Sequence, residues 1–356
     1  MKYRTKSLEI IDQLLEMIWP TTIKSRLIYS RQNIDDPIGL IELADCIVSH
    51  RHQKAGWPSV FCEKNNIWNV KNELKVNFIE EMEYEAFSLG SCRGRECAFY
   101  PAAFNGGMIL KYRDHNILYD PGTHFHDVMI LIAKEYGGLW SPKIGNVLVS
   151  HSHPDHAGGL SDVLTYATNF FSAKSELQLI APPDVSAPIG YTKSKLDINY
   201  ITTKHGPKQF YVTVYHYYVD DEFILISDGP IFDKLGSWNP SKENAPSRWW
   251  KKAVDSNDYV LNKTWKDFLS KGHKFKRAYI TVQCSDILNG DFAKLSGSYF
   301  LARSGIADEI IFNGWGAENV VVSASGSRIV IPYLWGEAFE LLGFSCTVLD
   351  DFKGIN

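Results

Sequence analysis

The stretch from Ile144 to Phe171 constrains this chain more than any other. Val147, Leu148 and Val149 form a short apolar run suited to a buried strand. The run stops at Ser150, and His151, His153, Asp155 and His156 follow within six positions. Gly158 and Gly159 come next and allow close backbone approach where strand gives way to helix. Leu160, Val163, Leu164, Ala167, Phe170 and Phe171 then recur at helical spacing, which predicts a helix with Ser161 near its N-terminus.

That arrangement suits a metal. Imidazole nitrogens and carboxylate oxygens are ligands for Zn²⁺, and for Mn²⁺ or Fe. On extended backbone His151 and His153 project the same way. Asp155 and His156 lie beyond the turn and can face a second metal. Two metals about 3.5–4 Å apart can hold a hydroxide and clamp a reacting oxygen. A solvated loop has no need of three histidines and an aspartate so closely spaced.

Upstream, Met82, Tyr84 and Ala86 alternate with Glu81, Glu83 and Glu85 as a half-exposed strand should, ending at Ser88-Leu89-Gly90-Ser91. Met108–Lys111 and Asn116–Tyr119 read as a hairpin around Arg113-Asp114-His115, closed by Asp120-Pro121-Gly122. Downstream, a segment ends at Thr203-Lys204-His205-Gly206-Pro207. Tyr211–Tyr218 and Phe223–Ile226 read as two more strands, the second followed by Ser227-Asp228-Gly229.

The phrase His151-Ser152-His153-Pro154-Asp155-His156, with its strand before and Gly-Gly-Leu after, resembles the His-x-His-x-Asp-His signature of the metallo-β-lactamase superfamily. The resemblance implies an α/β fold, an αββα sandwich of two similar halves dividing near residue 185. It implies a pair of zinc ions, or Mn²⁺ or Fe in their place. By the same resemblance His205 completes the first metal with His151 and His153, and Asp228 bridges both. His216 is the rival of His205, although it sits inside an aromatic strand whose packing would occupy it. Asp155 would be catalytic, binding metal and orienting the attacking water. His124 and His126 follow the Asp-x-Gly turn, close to where the superfamily builds its site. Either a substrate contact at His124 or an ordinary helix N-terminus fits them.

One ligand is missing. The superfamily supplies a further histidine late in the chain, but His273 is the only one after Asp228. It stands among Lys271, Lys274 and Lys276, before a strand instead of after one. Asp286, Glu337 and Cys284 are the substitutes the sequence offers.

Composition narrows the class. The formal charge of −4 supplies no global basic field for nucleic acid. The segment 240–277 departs from this, with ten Lys or Arg against four Asp or Glu, and with Trp249, Trp250, Tyr259, Trp265 and Phe275 interleaved. Such a mixture suits phosphates and stacked bases, with Lys251 and Lys252 as candidate substrate contacts, or a solvated helix whose tryptophans pack on the core. Six cysteines without a Cys-x-x-Cys pair do not read as a disulfide framework. The N-terminal Leu8–Ile18 pattern is amphipathic, interrupted by Glu9, Asp12 and Glu16, and predicts a helix ending near Trp19-Pro20, not a signal peptide. A second helix is expected over Ile38–Val48. These features predict a cytoplasmic protein without a membrane partner.

The expected organisation is therefore an N-terminal extension over residues 1–78, serving as a cap or a dimerisation element, and a hydrolase domain over 79–356. A homo-oligomer stays open. The spacing from His205 to Asp228, and the Leu-Gly-Ser opening near residue 90, resemble ribonuclease Z-like phosphodiesterases. The expected activity is metal-dependent hydrolysis of a phosphodiester, in a nucleic acid or a nucleotide. The alternatives are a lactone or carboxylic ester hydrolase of the same fold, and a degenerate sensor that binds a nucleotide without cleaving it.

Overall fold

Alternation along the strands sorts the side chains into two kinds of core, and that sorting sets the layers. In the computed structural model, the residues described are 2–54, 84–93, 104–136, 144–170, 177–185, 196–206, 211–236, 247–282, 295–323 and 325–355. The first sheet runs in the order β17-β1-β3-β4-β5-β6. Its strands are β1 (Ala86–Gly90), β3 (Gly107–Tyr112), β4 (His115–Tyr119), β5 (Ile144–Leu148), β6 (Gln178–Ile180) and β17 (Gly354–Ile355). The hairpin pairs Met108 with Tyr119 and Tyr112 with His115, as the sequence predicts.

The second sheet runs β16-β13-β12-β9-β8-β7, with β2 (Cys92–Arg93) pairing on β13. Here β7 is Asn199–His205, β8 Val212–Val219, β9 Phe223–Ile226, β12 Phe275–Thr281, β13 Ala307–Gly316 and β16 Cys346–Val348. Apart from both sheets, β10 (Phe232–Leu235) pairs with β11 (Tyr259–Leu261) and β14 (Val320–Val322) with β15 (Arg328–Val330). Strands β9, β12, β13 and β16 are parallel, and their runs are buried almost throughout. Parallel strands covered on both faces read this way.

Between the sheets lie Met108, Leu110, Ile117, Tyr119 and Leu148 from the first, facing Tyr217, Leu225, Tyr279 and Ile311 from the second. Their neighbours in sequence point outward, because side chains alternate along a strand. Ile109, Leu118 and Val147 pack under α4 (Phe125–Tyr136) and α6 (Leu160–Phe170). Ile224, Ile226, Ala278, Ile280, Ile310 and Phe312 pack under the helices on the far side. The result is helix, sheet, sheet, helix: an αββα sandwich.

The far layer includes α1 (Arg4–Leu15), α2 (Thr21–Gln32) and α3 (Pro37–Lys54) together with α7 (Ser247–Asp255), α8 (Lys263–Leu269), α9 (Ser296–Ser304) and α10 (Pro332–Leu341). Leu27, Leu40, Ile41 and Ile47 are fully buried in the same core as Phe312 and Trp335. The Tyr3 hydroxyl accepts from the Val348 N–H at 2.9 Å, and the Ser7 hydroxyl donates to the Tyr333 carbonyl. Residues 2–54 thus cover the second sheet; Met82 and the rest of 55–83 lie outside the described residues. Helix α2 is absent from the sequence reading because its apolar positions, Ile23, Leu27 and Ile28, are sparse among Lys, Arg and Ser. Within 240–277 the tryptophans Trp250 and Trp265 are fully buried, as in the packed-helix reading of that segment. Among the described residues, no helix is long and apolar enough to cross a membrane.

Candidate metal centre

Strand β5 ends inside the sandwich, and the chain must turn sharply to reach α6. Pro154 starts the short helix α5 (Pro154–Ala157), where its missing N–H costs nothing and its fixed φ suits a helical first turn. His156 and Ala157 both donate their N–H to the His153 carbonyl at 2.9 Å. The turn is pressed against the preceding loop. A Cβ on Gly122 would lie 2.2 Å from the Asn105 carbonyl oxygen and 2.6 Å from that of Asp155, so only glycine fits there.

This turn delivers His151, His153, Asp155 and His156 to the edge where the two sheets meet. The second sheet supplies the rest. Strand β7 ends at His205, and β9 runs directly into Asp228. The ligand atoms of His151, His153 and His205 lie within 4.8 Å of one another, and so do those of His151, His156 and Asp228. Asp228 Oδ2 is 3.5 Å from His156 Nε2, 3.8 Å from His205 Nε2 and 4.0 Å from His151 Nε2. Asp155 Oδ2 is 3.2 Å from His156 Nε2. His151 and His156 are fully buried and Asp228 nearly so, whereas His153 and His205 are partly exposed. The cluster therefore opens to solvent on the His153–His205 side.

The hydrogen bonds fix how the rings face. Ser150 Oγ donates to Asp120 Oδ2 at 2.8 Å, so it accepts from His151 Nδ1 at 3.0 Å. His156 Nδ1 donates to Asp120 Oδ2 at 2.7 Å. His151 then turns a bare Nε2 lone pair into the cluster, the tautomer a metal-binding imidazole needs. His156 directs its Nε2 at Asp155 and Asp228. Burial lowers the pKa of His156, but the Asp155 and Asp120 carboxylates outweigh it and hold this ring well above the usual imidazole range. Burial, followed by the neighbouring His156, holds His151 well below the usual imidazole range and so keeps it neutral. Burial and the adjacent His205 also lower His153.

These residues fit a divalent metal. His151 Nε2 and His153 Nδ1 stand 3.1 Å apart. Tetrahedral zinc with Zn–N of about 2.0–2.1 Å places adjacent nitrogens about 3.3 Å apart. Asp228 Oδ1 is buried without a hydrogen-bond partner, which a bound cation would supply. His151, His153 and His205 form one group that could hold an ion, and His151, His156 and Asp228 a second, with Asp155 beside His156. This nitrogen and oxygen set suits Zn²⁺, Mn²⁺ or Fe.

The remaining expectations separate. His216 is not in the cluster: it is fully buried in β8, between Thr203 and Ser227, and burial pushes it down to about 3. His124 begins α4, where its backbone N–H donates to Asn105 Oδ1 at 3.0 Å and its Nδ1 accepts from Asn105 at 3.3 Å. Its ring meets Phe104 edge-on. It braces the Asn105 loop, which touches the metal turn through Gly122. His126 is exposed.

Lys251 and Lys252 are not brought to the cluster. They lie on α7 in the far helical layer, where Lys251 Nζ pairs with Asp255 at 2.6 Å and caps the Tyr299 ring at 5.1 Å. His273 stacks on Phe268 at 4.9 Å. Glu337 turns toward the first helix, its Oε2 accepting from the Tyr3 N–H at 3.2 Å. Cys284 and Asp286 lie outside the described residues.

The sequence reading missed Asp120, Ser150 and Ser227. Asp120 has a positive φ of 51° at the end of β4 and reaches His156 across 36 residues. Its only sequence signal was the Asp-Pro-Gly turn.

Two facing sheets under helices, with the His-x-His-x-Asp-His turn at their shared edge, define the metallo-β-lactamase fold. Residues 90–211 match the family described as Anti-Pycsar protein Apyc1. No curated relative matches the sequence. Similar solved structures include the metallo-beta-lactamase fold protein YhfI from Bacillus subtilis, with 12% identity, TM-score 0.42, and coverage of 76% of this chain and 96% of that one. Human tRNase Z, short form (ELAC1), gives 10%, 0.43, 76% and 98% in the same order. Unliganded yeast PDE1 gives 10%, 0.36, 75% and 98%.

Proposed function

We propose that this protein is a metal-dependent hydrolase of phosphodiesters, in a nucleotide or a nucleic acid. The observation that carries the reading is the convergence of His151, His153 and His205, and of His151, His156 and Asp228, into two groups whose candidate ligand atoms lie within 4.8 Å of one another, with Asp155 beside them. A bound metal pair would supply a nucleophile at neutral pH and neutralise charge on the reacting oxygens.

The chain's own groups do the rest. Asp155, on the turn and nearly buried, is placed to orient a water and accept its proton. Asp228 sits between the two ligand sets and holds them in register. Asp120 and Ser150 fix the His156 and His151 tautomers. The exposed His153–His205 side gives the substrate its approach. The phosphodiester preference rests on the His205–Asp228 spacing and the Leu-Gly-Ser opening. The match of residues 90–211 to Apyc1 adds an anti-Pycsar role as a biological setting to test.

The absent late histidine favours one competing reading, a sensor with a weakened second site. Metal content per chain, measured together with turnover of a nitrophenyl phosphodiester and of a simple lactone, separates these. Two metals with diester turnover is the expected result. Lactone turnover alone would replace the substrate class, and metal-free protein without turnover would favour the sensor.

A further inference from the structure

His216 is an imidazole in the second sheet that the proposed mechanism does not use, and it spans both strands that carry second-sheet ligands. It lies on β8, between β7 and β9, and is fully buried. The Ser227 backbone N–H points at His216 Nδ1 at 3.1 Å. A backbone N–H only donates, so Nδ1 accepts and the ring proton resides on Nε2. Nε2 then donates to the Thr203 hydroxyl at 2.8 Å. Thr203 is two residues before His205, and Ser227 immediately precedes Asp228. The imidazole therefore ties the backbone beside one ligand to the strand that carries another.

The chain of bonds continues. Ser227 Oγ donates to Ser150 Oγ at 2.8 Å. Ser150 Oγ donates to Asp120 Oδ2, which accepts from His156 Nδ1. A continuous buried path thus runs Thr203–His216–Ser227–Ser150–Asp120–His156, crossing from the second sheet to the first. It passes next to His205, Asp228 and His151 and ends on His156. Every member of the path is at most 5% exposed. Water is excluded, so each link stays directed, and loss of one leaves a buried donor or acceptor unpaired. The surroundings leave no slack. Gly229 adopts φ of +136°, and a Cβ there would lie 2.8 Å from Thr203 Oγ1. Trp265 packs on the His216 ring at a centroid distance of 5.2 Å.

We infer that His216 is a positioning residue for the metal centre: held as a neutral donor–acceptor between Thr203 and Ser227, it sets the spacing of His205 and Asp228 across the sheet. The inference rests on the metal-dependent reading above. It predicts that removing the imidazole alters coordination without removing any ligand.

The test uses the full chain loaded with Co²⁺, whose visible absorption reports ligand geometry, together with metal affinity by chelator competition and thermal unfolding of the metal-free protein. His216→Phe keeps the ring and loses both hydrogen bonds. His216→Asn keeps an acceptor for the Ser227 N–H. Thr203→Val leaves the imidazole and removes its acceptor.

The expected result is a 10- to 100-fold loss of affinity in His216→Phe, with a shifted cobalt band. His216→Asn should recover part of both, and Thr203→Val should move both the same way as His216→Phe. An unchanged band and affinity in folded His216→Phe would overturn the inference, as would equal damage in the Phe and Asn variants. If His216→Phe does not fold, Thr203→Val decides, and wild-type affinity there overturns it. Wild-type protein that takes up no cobalt would overturn the metal reading itself, and this inference with it.

Discussion

The two ends of the sandwich use the same strands in opposite ways. At one end the strand termini carry His151, His153, His205 and Asp228 into a largely buried cluster, in which carboxylates and bare imidazole lone pairs face each other. At the other end the starts of β9, β12 and β13 and the β3–β4 turn ring a cleft of about 670 Å³. Its charges pair with one another. Arg277 pairs with Glu309 at 3.1 Å and also with Glu85, Lys276 pairs with Glu222 at 2.8 Å, and Arg113 pairs with Asp220 at 3.1 Å. Buried carboxylates and imidazoles are costly to desolvate and persist where they pair with one another or with a bound cation. Matched exposed pairs contribute little. The contrast singles out the first end as the candidate site without reference to any relative.

Five variants press on that contrast. The largest effect is expected at Asp228. Asp228→Ala should lose more than about 100-fold in metal affinity, since it removes a ligand and not merely a supporting bond. It should cost at least as much activity as His205→Ala, because Asp228 Oδ2 lies near three imidazoles. Full metal occupancy in the Asp228 variant, measured by elemental analysis, would take this residue out of the site.

His153→Ala comes next. It should remove turnover and weaken metal, yet leave cooperative unfolding intact, because the ring is partly exposed and the apolar cores do not include it. Thermal unfolding of the variant checks this, and loss of the transition would make the metal structural.

Asp120→Asn tests the support behind the ligands. The amide cannot match the carboxylate in accepting from both Ser150 and His156, so metal affinity should fall about 10- to 100-fold. Chelator competition reads it directly, and wild-type affinity would confine Asp120 to holding the loop.

The smallest effects belong to the paired charges. Lys276→Gln should change stability by less than about 1 kcal/mol in denaturant titration, since the pair is exposed and screened. Lys251→Gln/Lys252→Gln should leave KM and its salt dependence unchanged, given their place in the far helical layer. If these lysines do meet phosphates, KM rises and the slope of log affinity against log salt flattens by somewhat less than one per contact. Kinetics across a salt series tells the two apart.

The legible part of the site was the part that is local in sequence. Six adjacent positions placed four candidate ligands on one turn, because a strand that stops at Ser150 and a helix that begins soon after leave the chain only one short bend. His205 and Asp228 were reached by resemblance, through strand ends. Asp120 was not recognised, since nothing within a few residues of an Asp-Pro-Gly turn says that its carboxylate will meet an imidazole 36 positions later. The tryptophans of 240–277 were open to two readings, because an amphipathic basic helix looks the same whether its aromatic face meets a ligand or a core. Burial of Trp250 and Trp265 decides that face.

The sequence by itself determined the alternation that sorts Ile109 from Leu110 and Ile224 from Leu225, and with it which side chains of a strand share a face. It also determined the ligand types on the motif turn, since these depend on neighbours along the chain. The tertiary structure alone decided that β7 and β9 end beside that turn, that His216 faces Thr203 and Ser227 in place of the metal cluster, and that residues 2–54 close over the second sheet. Those outcomes depend on which strands pair and which faces remain to be covered. Such choices are made by burial summed over the whole chain, and no local spacing encodes them.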